Sequence, residues 1–254
     1  MPDSNDIYLL PEMTWVEAEE AYKQAKLAII PVGSHEQHGP GIKLKVDGAQ
    51  AYEFAKLLAK EIHPLAVVTP PVNIGVSHHH MGFPGTITLR NSTFIAIIED
   101  IVSSLKRHGF KKFLIVNTHG GNEPACLVAI NDLREKLDVE IAYTLYAVLA
   151  PEVMAKVPAD KRGHGADPGL AVALYLDEDL VHMDRLEKGV EHWPYTMIGP
   201  RDKYQVSFPY YTHEVTDNGA FGDPSTTSKE LGKEICDKAI ERLIVFIHDF
   251  VKNV

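Results

Sequence analysis

Short apolar runs alternate with helix-period segments along this chain, and three of the runs lead into turns that carry histidine. Leu27 to Val32 (LAIIPV), Ala66 to Ile74, Lys112 to Val116 (KFLIV) and Glu140 to Val148 read as strands, the first and third as short continuous apolar runs typical of a buried strand. Between and after them, Asp47 to Ile62, Ser92 to Arg107, Asn122 to Leu137, Pro168 to Leu176 and Ser228 to Phe250 read as helices. A first helix, Thr14 to Ala25, opens on Thr14 as N-cap with Glu17 three residues on. Strand and helix in alternation predict an α/β fold, a mostly parallel β-sheet flanked by helices, built as a single domain over residues 1–254. The stretch from Val181 to Asp223 reads as a loop-rich excursion from it.

In an open α/β sheet, ligands bind beyond the carboxyl ends of the strands. The segments there are Gly33 to His38, Gly75 to His80 and Asn117 to Asn122, and each contains histidine. The first holds Glu36 and His38, two apart and so on one side of an extended chain, with Asp47 shortly after. Carboxylates with imidazoles suit a divalent ion of the zinc, manganese or iron class. Asp47 also suits an N-cap for the helix that follows. In the third segment His119 directly follows the strongest strand, Gly120 and Gly121 allow a tight turn, and Asn122 with Pro124 suits a helix start. The second has three consecutive histidines, of which one or two at most can face one site.

Composition narrows the classes. The chain has 13 histidines but only two cysteines, so neither a disulfide framework nor a cysteine-rich zinc site is available. Its formal net charge of −10 argues against a broad nucleic-acid-binding surface. No apolar run approaches the ~18 residues of a membrane span, and the first residues lack the apolar core of a signal peptide. The expectation is a cytoplasmic protein with a small-molecule substrate and neither a nucleic-acid nor a membrane partner.

Four co-linear motifs carry a family resemblance: PVGSHEQHGP followed by Asp47, the gapless run GVSHHHMGFPGT from Gly75 to Thr86, NTHGGN at 117–122, and GAFGDP from Gly219 to Pro224. Together they resemble the creatininase family. The resemblance implies a creatininase-like fold and a hydrolase acting on an amide-like C–N bond of a cyclic amide, formamide or small peptide. It implies two divalent metal ions (Zn, Mn or Fe) that share an activated water. Glu36 and His119 match ligands of one ion, His38 a ligand of the other, and Asp47 the carboxylate bridging both. In creatinine hydrolases the remaining ligand is a Glu two residues after the family histidine; here that position is Gly121. The segment GHGADPG, 163–169, resembles another family element and offers Asp167 as the replacement ligand, with His164 as proton shuttle. Asp167 before Pro168 equally suits a helix cap. Ser77 and His80 of the second motif, and Lys43 of the altered loop between His38 and Asp47, are expected to bind substrate. Relatives assemble as hexamers, and Trp193, Tyr195, Tyr204, Phe208, Tyr210 and Tyr211 supply aromatics favoured at interfaces. No tryptophan lies between Val148 and His164, where creatinine hydrolases have a lid, so creatinine itself is expected to be a poor substrate and a larger, acceptor-bearing or anionic one preferred. The alternatives are hydrolysis of a lactone or ring C–C bond in a sugar or polyol derivative, and a catalytically inactive metal-binding scaffold.

Overall fold

Every residue of the strands β1 (Leu27–Val32) and β3 (Lys112–Asn117) is buried, because both faces of each are covered. The computed structural model describes residues 8–195 and 208–252. In it β1 and β3 pair in parallel, from Ala28 with Phe113 to Val32 with Asn117. The strands β2 (Ala66–Val68) and β4 (Glu140–Leu145) flank them, giving a four-stranded parallel sheet in the order β2-β1-β3-β4.

Side chains alternate between the two faces of a strand, so each central strand feeds two cores. Leu27, Ile29, Leu114 and Val116 pack on one face against Phe54 and Leu58 of α2 (Val46–Glu61) and Ile235 and Leu243 of a C-terminal helix, Lys229–Phe250. Ala28, Ile30, Phe113 and Ile115 pack on the other face against Phe94 and Ile98 of α3 (Asn91–Arg107) and Ala129 and Leu133 of α4 (Glu123–Leu137). Each fully buried Ile, Leu or Phe contributes about 1.5–3 kcal/mol. The strand bodies therefore set the register and leave their ends free for polar residues. The N-terminal α1 (Trp15–Tyr22) opens with the expected capping box between Thr14 and Glu17.

The described part departs from the sequence reading in two strands. The second strand ends at Val68, because Pro70 and Pro71 lack the N–H a ladder needs; Val72 rejoins β1 only as an isolated bridge to Val32. The fourth ends at Leu145, where Tyr146–Leu149 winds into a 3-10 turn. The excursion after Val181 contains short 3-10 turns at Met183–Arg185 and Thr212–Glu214. Its residues 196–207, Tyr204 among them, lie outside the described residues. Among the described residues no helix is long and apolar enough to cross a membrane.

Candidate metal centre

Because the strands are parallel, their carboxyl ends share one edge, and one asparagine laces the three following segments together there. The Asn122 amide donates to Gly33 O at 2.9 Å and to Asn117 Oδ1 at 3.1 Å, and its Oδ1 accepts from the Val76 N–H at 2.8 Å. Asn122 was expected as a helix cap; it makes no side-chain cap bond, and its side chain turns inward instead. Two glycines make the approach possible. A Cβ on Gly75 would collide with the Asn122 amide, and one on Gly33 with the Asp47–Gly48 backbone. Thr118 Oγ1 completes the lacing by donating to Asp47 O at 2.8 Å.

Glu36, His38, Asp47 and His119 meet at this edge, all of them buried or nearly so. Asp47 lies in the first turn of α2, and its two oxygens face different histidines: Oδ1 is 3.2 Å from His38 Nε2 and Oδ2 is 3.4 Å from His119 Nδ1. Glu36 Oε1 has four imidazoles around it: His119 Nδ1 at 3.0 Å, His80 Nε2 at 3.3 Å, His38 Nε2 at 3.8 Å and His164 Nδ1 at 3.9 Å. Despite these approaches Glu36 Oε1 and Asp47 Oδ2 are buried without a hydrogen bond. Two trios of ligand atoms lie within 4.8 Å of one another, Glu36 with His38 and His164, and Glu36 with His79 and His119.

The backs of the rings define the fronts. His119 Nε2–H donates to Val76 O at 3.0 Å, His38 Nδ1–H to Glu36 O at 3.3 Å, and His164 Nε2–H to Gln37 O at 2.6 Å. A neutral imidazole has one N–H, so in the neutral form of each of the three rings the nitrogen facing the carboxylates is bare. Orientation of the outer N–H by a backbone carbonyl is the usual support of a metal-binding histidine. Bare nitrogens and carboxylate oxygens facing each other at 3.0–3.4 Å repel unless positive charge lies between them. Burial lowers His119, yet Glu36 and Asp47 outweigh it and push its pKa up to about 9, so without a metal a proton serves as that charge. Burial likewise opposes, and Asp47 and Glu36 enforce, the rise at His38. Burial raises the Glu36 carboxyl, but His119, His80 and His38 hold it well below the usual carboxylate range. The orphaned oxygens and the mixed N/O donor set fit divalent cations.

The remaining candidates are placed differently. Asp167, like Asp47, belongs to neither ligand trio; its Oδ1 accepts from Thr227 Oγ1 at 2.7 Å, burial pushes its carboxyl up, and its Oδ2 is buried without a hydrogen bond. Ser77 is buried behind His119, hydrogen-bonded to Ser34 Oγ and 3.4 Å from His119 Nε2, away from the cavity. Lys43 is fixed through its N–H to Leu180 O, and its side chain does not line the cavity. That cavity, about 360 Å³, is lined by His38, Asp47 and His164 together with Ile42, Val46 and Leu170, with no lysine or arginine among its described lining residues. Sequence reasoning singled out neither His79 nor Gln37. The three histidines form one 3-10 turn, whose residues point about 120° apart; His78 faces solvent, while His79 and His80 face inward. Trp193, read from the sequence as an interface aromatic, stacks on Phe221, which meets the His164 ring edge-on.

Known proteins share this arrangement of chain. Residues 11–247 match the family model Creatininase, described as creatinine amidohydrolase. The mycofactocin precursor peptide peptidase of Mycolicibacterium smegmatis is 29% identical over 223 residues, 86% of this chain and 83% of that protein. The creatinine amidohydrolase of Pseudomonas putida is 28% identical over 249 residues, 91% of this chain and 92% of that protein. Among solved structures, one named Creatininase Mn superposes with a TM-score of 0.79 at 25% identity, covering 96% of this chain and 98% of that one. A mutant creatininase of Zn-Zn type gives 0.77 at 26% identity, with 96% and 98% covered. With the family model spanning nearly the whole chain and the strand-end motifs converging as they do, the chain belongs to the creatininase family.

Proposed function

We propose that this protein is a hydrolase that uses two divalent cations to cleave an amide-like C–N bond in a small substrate. The observation that carries this reading is Asp47, whose two oxygens face separate histidines while Oδ2 and the neighbouring Glu36 Oε1 lack hydrogen bonds. Glu36, His79 and His119 would hold one cation and His38 the other, with Asp47 between them. Bound cations of this class supply Lewis acidity and lower the pKa of water. Zinc and manganese, named in solved relatives, are the first ions to test.

The chain's own groups supply orientation and proton transfer. His164 Nε2–H is anchored on Gln37 O, so Nδ1 is the atom that accepts a proton and returns it to the leaving nitrogen. Burial, then the neighbouring His38, push His164 down to about 3, so its ring is neutral before substrate binds. The apolar lining residues Ile42, Val46 and Leu170, with no lysine or arginine beside them, favour an uncharged substrate group in the cavity over the anionic one expected to meet Lys43. Exposed Tyr195, Phe208 and Tyr211 support assembly into oligomers, with the hexamer as the proposed state. The test is elemental analysis of the purified protein, followed by assay of the zinc- and manganese-loaded forms on formamides, cyclic amides, short peptides and lactones. Two ions per chain with turnover of an amide is the expected result; lactone-only turnover, or no bound metal, overturns the reading.

A further inference from the structure

His80 is oriented the opposite way from the other inward histidines. Its ring is buried and its Nδ1 is 2.8 Å from Gln37 Nε2 and 3.1 Å from Thr212 Oγ1. The Gln37 amide cannot be flipped without loss, because its Oε1 accepts from the Gly39 N–H at 2.9 Å and its Nε2 donates to Gly219 O at 3.0 Å. An amide nitrogen only donates, so its second hydrogen goes to His80 Nδ1. His164 Nε2, 3.2 Å away, takes no share, since it is itself a donor to Gln37 O. His80 Nδ1 is therefore an acceptor, and the one proton of the neutral ring is on Nε2, 3.3 Å from Glu36 Oε1.

We infer that His80 is a positioning residue: an Nε2–H donor, set by Gln37 and Thr212, that holds the Glu36 carboxylate through Oε1 and does not itself ligate metal. This rests on the reading of Glu36 as a ligand. Ligating carboxylates are themselves usually hydrogen-bonded, and Glu36 has Ser34 Oγ on Oε2 at 3.1 Å but no hydrogen-bonded donor on Oε1. A small rotation of the carboxylate closes the 3.3 Å gap, and such bonds are commonly long before the site is filled. The inference also gives the 212–221 segment a role. Thr212 supplies one hydrogen to His80, Gly219 O orients Gln37, and the Phe221 N–H donates to His164 O at 2.7 Å. A segment remote in sequence thus determines which nitrogen of His80 carries the proton.

The test uses full-length protein labelled with ¹⁵N-histidine, metal-free and cadmium-113-loaded, read by long-range ¹H–¹⁵N correlation. His80, assigned by loss of its signals in His80→Gln, is expected as the Nε2–H tautomer in both forms, with no cadmium coupling. Metal affinity is measured alongside. His80→Ala is expected to weaken it roughly 10–100-fold, as for other outer-sphere partners. His80→Gln, whose amide N–H replaces Nε2–H, is expected to restore most of it. Thr212→Val, an isosteric change, is expected to raise the Nδ1–H population of His80. A bare or cadmium-coupled Nε2, or His80→Gln binding as weakly as His80→Ala, overturns the inference. If wild-type protein binds no metal, the proposed function fails instead, while the metal-free spectra still report the tautomer.

Discussion

Gly121 occupies the position where creatinine hydrolases carry glutamate, and the structure indicates that the acid cannot simply be put back. A Cβ there would lie 2.8 Å from His79 Cε1 and closer still to His119 Nε2 and Val76 O. Two of these atoms form the 3.0 Å hydrogen bond that orients His119, and Val76 is itself held by Asn122, so neither moves freely. Even Gly121→Ala drives a methyl into that bond. Overpacking costs about 1–3 kcal/mol, and leaving the buried donor and acceptor unpaired costs about 1–3 kcal/mol more. The expected destabilisation is thus about 2–6 kcal/mol, with Tm falling by roughly 2–4 °C per kcal/mol in a chain of this size. Gly120→Ala is the matched control, because a Cβ there meets nothing within 4 Å; its effect should stay within about 0.5 kcal/mol. Urea denaturation of the metal-free proteins gives both values, and elemental analysis shows whether the displaced His119 still holds its ion. Equal stability of the two variants would refute the argument, as would a Gly121→Glu protein that folds normally and binds two ions.

Asp47→Ala is expected to remove tight binding of both cations and essentially all activity, since two cations would be left close together with less negative charge between them; full retention of either ion in elemental analysis would count against the bridging role. His164→Ala should keep its metals and slow turnover by roughly 10²–10⁴, the usual worth of one acid–base group; if metals are lost with it, His164 is a ligand and not a proton carrier. Creatinine should rank low in the substrate panel, because no tryptophan lies between Val148 and His164, and Trp193 is separated from His164 by Phe221. Creatinine at the head of the panel would reverse that expectation.

The parts of the fold legible in the sequence are those where one local rule acted alone. LAIIPV and KFLIV had to be buried on both faces, and Thr14 with Glu17 had to cap, because no distant residue was needed to decide either. The second strand failed at Pro70 and Pro71, where the loss of N–H groups outweighed a β-like composition. Asn122 shows the limit more sharply. Its position before Glu123-Pro124 is that of a helix cap, yet the competing demand of joining three chain segments took its side chain away from the helix. That demand exists only once β1 and β3 are adjacent, so no window of sequence contains it.

The same reasoning explains why residue type located the centre but not the roles within it. Glu36, His38, Asp47 and His119 could be found because strand ends in a parallel sheet converge whatever their separation in sequence. What each imidazole can do there depends on the atom behind it. A carbonyl behind the ring takes the proton and leaves a bare nitrogen in front, as Val76 O does for His119 and Gln37 O for His164. An amide or hydroxyl donor behind the ring sends the proton to the front, as Gln37 and Thr212 do for His80. His79 and His80 are adjacent and chemically identical, yet only His79 belongs to a trio of ligand atoms within 4.8 Å of one another. The distinction comes from partners up to 132 positions away, and so it is written in the tertiary fold. Asp167 is divided in the same way: its type suits ligation, and Thr227, 60 positions on, engages Oδ1 while Oδ2 is left without a hydrogen bond.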